Sequence, residues 1–205
     1  ASAGAARQDR GVARLGLAIL SLFLLALPLG VPKPGLPSTL KADEPAYLLM
    51  ALSLVHDGDV RCEVRDLHRL FAEYPFAPTH NLVLTSNDGW RTVFFGKPFV
   101  YPLFAAPFAA VLGSNGLLLF NMLLFVAMIW MGAVHLRRSN GDGLAALFSA
   151  GFFLLSVAWT YVFWLQPEIF NMASVMASLF FGLGVAPWPQ GGGKAGWAAR
   201  AVRLG

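Results

Sequence analysis

The chain has 205 residues, of which 57% are hydrophobic and 13% charged, with a net charge of +4. A soluble domain carries about 25% charged residues, so this composition excludes an ordinary water-soluble fold and points to an all-α integral membrane protein. The small positive excess, with no basic stripe interleaved with aromatics, argues against nucleic acid as a partner. The single cysteine, Cys62, excludes an intrachain disulfide and a Cys-based zinc site. His56, His68, His80 and His135 show no metal-binding spacing.

Taken in chain order, residues 1–11 read as a cytoplasmic N-terminal segment carrying Arg7 and Arg10. An apolar run follows, longer than the core of a signal peptide and without an A-x-A cleavage site. It reads as a retained span over about 12–31. Residues 32–114 form a large outer loop that holds 15 of the 26 charged residues. Within it, Pro45 to His56 reads as a helix, with proline in the first turn and Asp43 or Glu44 at the cap. Tyr47, Leu48, Ala51, Leu52 and Val55 recur at helical spacing, so this helix is expected to lie on the membrane surface. The stretch 98–114 is short and contains Pro98, Pro102 and Pro107; it reads as an interfacial or re-entrant helix, with a fifth span as the alternative.

Three further spans are read at 115–136, 143–165 and 168–186. Each approaches the roughly 20 residues needed to cross the hydrocarbon core. The last two are divided at Gln166-Pro167-Glu168, because a glutamate in mid-bilayer costs about 2.5–3.5 kcal/mol. Residues 187–205 read as a cytoplasmic connector, rich in glycine and then basic. With four spans, Arg7, Arg10, Arg14, Arg137, Arg138, Lys194, Arg200 and Arg203 all fall on one side. The positive-inside rule makes that side cytoplasmic and gives a multi-pass protein of the cell inner membrane with a cytoplasmic N-terminus.

This threading places Asp43, Glu44 and Glu168 at one outer face, each near a helix start. Two uses fit such carboxylates. They can stabilise helix N-termini, or one can take a proton from an acceptor at the interface. Paired acids could also hold a divalent cation, although no cofactor is required by the sequence. Lys97, between Gly96 and Pro98, is placed either to neutralise a lipid phosphate or to snorkel to headgroups. Arg61, Arg65, Arg69 and Arg91 are further cations of the same loop. Asn121 and Asn171 read as interhelical contacts. The chain has no phosphate-binding glycine loop and no G-x-S-x-G nucleophile elbow.

Three stretches occur in a distinctive order: ADEPAYLLMALSLVHDGDV at 42–60, FFGKPFVYPLFAAPFAAVLG at 94–113 and YVFWLQPEIFNM at 161–172. Together with the span pattern over residues 12–186, they resemble the N-terminal part of the membrane-embedded GT-C glycosyltransferases. The nearest likeness is to dolichyl-phosphate-mannose protein mannosyltransferases and lipid A aminoarabinose transferases. The resemblance implies an enzyme of the cell envelope that moves a sugar, with inversion, from a polyprenyl-phosphate donor to a glycan, lipid or protein acceptor at the outer face. It implies Asp43 as the catalytic acidic residue, Glu44 as its partner, Glu168 as a further acid and Lys97 as the contact to donor phosphate. Members of the family have about ten or more spans, so the chain reads as a truncated part that is inactive alone. The alternative is a non-catalytic membrane subunit, for assembly or transport, whose outer loop binds lipid or a partner.

Overall fold

The computed structural model describes residues 3–32, 40–77, 79 and 82–185, with the side chains of 3–8, 10 and 183–185 excepted. The connector 187–205, with Lys194, Arg200 and Arg203, lies outside the described residues, as do His80 and the side chains of Arg7 and Arg10. The described chain is mostly helical. Its elements are α1 (Ala3–Ala26), α2 (Glu44–His56), α3 (Val64–Glu73), a two-stranded antiparallel hairpin of β1 (Leu84–Thr85) and β2 (Phe94–Phe95), α4 (Val100–Leu112), α5 (Ser114–Leu136), α6 (Asp142–Leu154), α7 (Ala158–Val162) and α8 (Glu168–Val185). A short 3-10 turn, Leu27–Gly30, extends α1.

Two stretches, Gly11–Gly30 and Ser114–Leu136, are helical, long and apolar enough to cross a membrane. The helical apolar parts Asp142–Leu154 and Glu168–Gly182 are shorter. Large apolar side chains face outward on α1 (Val12, Leu15, Ile19), on α6 (Leu147, Phe148, Phe152) and on α8 (Val175, Leu179, Phe181). Such a surface exceeds the scattered apolar residues of a water-soluble monomer and suggests a membrane-associated chain.

The expected continuous helix over 143–165 is not formed. α6 stops at Leu154, and α7 begins at Ala158. Ser156 supplies the reason. Its hydroxyl donates to the Phe153 carbonyl at 2.9 Å and accepts from the Ala158 N–H at 3.3 Å. Serine offers the backbone a local turn in competition with the helical ladder.

Side-chain contacts define two ends of the molecule. At one end, Asn115 Nδ2 donates to the Val31 carbonyl at 3.1 Å, and Asn121 Nδ2 donates to the Trp164 carbonyl at 2.7 Å. At the other end, Asp9 lies against Gly143, where an added Cβ would stand 3.1 Å from Asp9 Oδ1. Between the two ends, Trp130 Nε1 donates to Ser21 Oγ at 2.9 Å, and Ser149 Oγ donates to the Ile129 carbonyl at 2.7 Å. α1 and α6 therefore run toward the first end and α5 away from it. α8 also runs away from it, because Leu179 and Phe180 border the same cavity as His135 and Leu136.

A cap of α2, α3, α4 and the hairpin covers the first end. α2 departs from its expected place on a membrane surface. Every residue from Glu44 to Ser53 is buried. The reason lies in positions 46 and 48–50, where Ala46, Leu48, Leu49 and Met50 carry the apolar stripe around the whole helix; a helix apolar on all sides is a core helix. α4 folds back along the first turns of α5, with the Phe108 and Phe120 rings 5.4 Å apart. Gly113, at φ 60°, makes the reversal. Glu73 at the end of α3 closes it by accepting from the Ser114 N–H at 2.9 Å, a favourable place for negative charge.

α2 and α3 are joined by charge. Asp57 pairs with Arg69 and, at 3.1 Å, with Arg65. The Arg69 hydrogen bond holds the Asp57 carboxyl below its ordinary value. Arg65 also reaches Glu63 at 2.7 Å, and Arg69 reaches Asp66 at 2.9 Å. Two of the four loop arginines are thus committed to structure.

The α4–α5 reversal depends on one missing side chain: a Cβ on Gly116 would run into the Phe108 carbonyl. Gly116→Ala is therefore expected to lower stability by about 1–3 kcal/mol through forced backbone movement. Thermal unfolding in detergent, wild type against variant, measures this.

Candidate functional site

The turn that opens α2 carries the candidate residues. Ala42 sits at φ 48°, in the left-handed region that costs a non-glycine residue about 1–2 kcal/mol. The turn is held closed by the Glu44 N–H donating to the Lys41 carbonyl at 3.0 Å and by the Lys41 N–H donating to Glu44 Oε2.

Asp43 occupies the N-cap position of α2, yet its side chain caps nothing. Only its carbonyl serves the helix, accepting from the N–H groups of Ala46 and Tyr47 at 3.0 and 3.2 Å. The carboxylate turns to Lys97, whose Nζ donates to Oδ2 at 2.6 Å. Lys97 lies just after β2, so the hairpin delivers it to the start of α2. Both side chains are half-buried. Asp43 Oδ1 has no hydrogen bond among the described residues.

Glu44 is 4% exposed and used differently. Oε1 accepts from the Leu165 N–H at 2.9 Å, while Oε2 takes the Lys41 N–H. Gln166 Nε2 adds a longer bond, 3.4 Å, to the Lys41 carbonyl. Glu44 thus ties the entry of α2 to the turn between α7 and α8. Burial pushes its carboxyl above the ordinary 4.5, against the lowering effect of the two backbone N–H donors.

Glu168 opens α8 on the far side of that turn. Its Oε2 is buried without a hydrogen bond among the described residues. Among the described residues, two other buried oxygens share this condition, Tyr101 Oη and Asn121 Oδ1. Tyr101 is wedged against Tyr47, with ring centroids 5.7 Å apart. Burial, then the charges of Asp43 and Glu168, push the Tyr47 hydroxyl above its ordinary value. The four residues singled out by sequence come to one end of the molecule: Asp43 with Lys97 in direct contact, Glu44 beside them in the frame, and Glu168 at the start of α8, just past the turn that Glu44 holds.

Sequence reasoning does not find Tyr101 or Lys41 in this site. Tyr101 gives no signal beyond being a tyrosine in the proline-bearing stretch ahead of Gly113. Lys41 has one signal, its place two residues ahead of Asp43. Asn121 does make the interhelical contact read from the sequence, through its amide nitrogen. Among the described residues, no three His, Cys, Asp or Glu side chains converge as a metal-binding set.

The chain matches no protein-family model, no curated protein and no solved structure. Its site is therefore read from its own geometry.

Glu44 has a measurable signature. Its carboxyl holds a proton more tightly folded than unfolded, so its contribution to stability is full below 4.5 and declines as pH rises through the raised folded value. Urea unfolding in detergent across that window should show this decline in wild type and lose it in Glu44→Gln. Glu44→Ala should be destabilised at every pH, by about 1–3 kcal/mol for each buried N–H left without an acceptor.

Proposed function

We propose that this chain belongs to a GT-C-like membrane glycosyltransferase that transfers a sugar from a polyprenyl-phosphate donor to an acceptor at the outer face, with inversion. The observation that carries this reading is the free disposition of Asp43. At a helix N-terminus an aspartate ordinarily caps; here it is turned to Lys97 and keeps Oδ1 open. The order of the three sequence stretches supports the same reading.

In the proposed reaction the acceptor hydroxyl attacks the anomeric carbon. The acceptor O–C bond forms as the anomeric C–O bond to phosphate breaks. The hydroxyl proton passes to Asp43, and the lipid leaves with its phosphate. Lys97 orients the base, and Glu168 is assigned to the acceptor side. Glu44 acts through the frame and touches no substrate. Holding the reactants in line supplies much of the rate.

The threading belongs to the same proposal. α1, α5, the α6–α7 pair and α8 make four passes, the N-terminus is cytoplasmic, and the cap with its acids lies outside the inner membrane. Arg14 and Arg137 border one cleft at the end opposite the cap, with Arg138 next in the chain, which supports a cytoplasmic side there under the positive-inside rule. Single thiols introduced beside positions 43 and 168, with Cys62 replaced, should both react with an impermeant reagent from outside. Modification from opposite compartments rejects the threading.

One observation favours a second reading. The Asp43–Lys97 pair is closed on itself, as a structural ion pair would be. On that reading the chain is a non-catalytic subunit whose cap binds lipid or a partner. The two separate on transfer of labelled sugar from polyprenyl phosphate, in membranes of cells expressing the gene that encodes this chain. Asp43→Asn should reduce the rate by about 10²–10⁴ if Asp43 is the base. Unchanged turnover removes it from that role.

A further inference from the structure

The end opposite the cap carries charges that the proposed transfer does not use. Arg14 of α1 and Arg137 at the end of α5 come from distant parts of the chain, yet both border one cleft. Ala13, Ala133 and Ala146 line it, one each from α1, α5 and α6, so three helices meet there with little side chain between them. At ≈ 30 Å³ the cleft is a notch and encloses nothing of headgroup size, so a ligand rests across its mouth.

The charge around this notch is one-sided. Asp142 is the one acid on it, and that carboxylate is already engaged. Asp9 lies against Gly141 and Gly143 at the start of α6, a favourable place for negative charge. Neither acid is tied to the arginines. The side chains of Arg14, Arg137 and Arg138 make no hydrogen bond or ion pair among the described residues, and all three are exposed. Trp130 has its indole N–H committed to Ser21 Oγ at 2.9 Å, so it adds a fixed flat wall to the notch and no donor.

Two open guanidinium groups with no open carboxylate suit an anion, and guanidinium meets phosphate through paired N–H groups. Depth says what the anion is attached to. α1 runs from this end toward the cap and, beyond Arg14, turns Leu15, Ile19 and Leu22 outward. A phosphate at the arginines therefore has an apolar helix surface beneath it, as a phospholipid headgroup has beneath it its own chains. Basic pockets between spans on the cytoplasmic side recognise anionic headgroups in this way. The positive-inside rule explains arginines at this level. It does not explain two unpaired ones, from different helices, on one notch.

We propose that this notch binds the phosphodiester of an anionic glycerophospholipid between Arg14 and Arg137, with the acyl chains along the outward face of α1. Such a lipid clamps the first span to α5. The cytoplasmic leaflet rests on the threading proposed above; the notch and its charge do not.

The test takes the full 205-residue chain from nanodiscs of equal parts phosphatidylglycerol and phosphatidylcholine and counts the retained lipids by native mass spectrometry. Phosphatidylcholine has the same phosphodiester with its own cation, so the ratio reads net charge. Wild type should retain phosphatidylglycerol about tenfold over phosphatidylcholine, the worth of one charge-assisted contact. Arg14→Gln and Arg137→Gln should each bring the ratio to within about twofold of parity, and the double variant no lower, because the two share one ligand. Arg14→Lys should recover part of the preference, since it keeps the charge and loses the paired N–H geometry. Arg138→Gln should stay within about twofold of wild type. A thermal melt of each variant establishes that it is folded. A wild type without preference overturns the proposal. Equal, additive losses from all three arginines also overturn it, because they mark diffuse attraction. Displacement of the lipid by inorganic phosphate at matched concentration assigns the notch to a free anion and overturns the lipid. Retention can fail while the thiol and transfer experiments succeed, and can succeed while they fail, so this site and the proposed function are separately decided.

Discussion

A buried carboxylate accepting two backbone N–H groups holds this molecule's cap to its helical rods. Glu44 reaches Lys41 within its own turn and Leu165 in the turn between α7 and α8. Both contacts use a carboxyl acceptor in a shielded place, where the loss of a hydrogen bond is severe. The arrangement also confines Ala42 to its left-handed backbone, because the turn closes only with the Lys41 N–H inside reach of the Glu44 side chain. That closure sets the direction in which α2 leaves the turn.

Three neighbouring charged residues acquire three environments from one turn. Lys41 is left open at the rim of an aromatic cavity, Asp43 is turned to Lys97, and Glu44 is sunk into the core. Lys41 precedes the helix and is separated from Asp43 by the left-handed Ala42, so the three residues leave the turn in different directions although they are close in sequence. Asp43 is released from capping because Lys97, carried in by the β1–β2 hairpin, competes for its carboxylate. The cap itself is stapled by charge at two more points, Asp57 with Arg65 and Arg69, and Glu73 with Ser114. Its polar contents are therefore arranged by specific pairings, whereas the rods are arranged by apolar packing and small residues such as Gly132 against Ser149.

The parts legible in the sequence are those set by local pattern. The apolar runs that form α1 and α5 are long and uninterrupted, and the Gln166-Pro167-Glu168 signal does mark where α8 begins. The break at Ser156 is not legible, because serine in an apolar run is compatible with helix until its hydroxyl chooses the backbone. The burial of α2 escapes a sequence reading for a related reason. Its stripe at 47, 48, 51, 52 and 55 is real, but the opposite side is also apolar, and α3 and the more distant α4 fold back to cover it. The Asp43–Lys97 contact joins residues 54 apart, and no short-range rule reports such a meeting. Lys41 stands out little, since an exposed lysine at a loop end has only its place two residues ahead of Asp43 to distinguish it.

The shortness of α6 bears on the surroundings of the protein. Thirteen helical residues make a rod of about 20 Å, against a hydrocarbon layer of about 30 Å. α1 and α5 offer full-length flanks, so in a bilayer the annulus of lipid around the molecule would be uneven. Acyl chains beside Leu155, which is 91% exposed at the break, would meet the edge of the rod before the layer ends. Thinning or tilt on that flank is the ordinary accommodation, at fractions of a kcal/mol per Å.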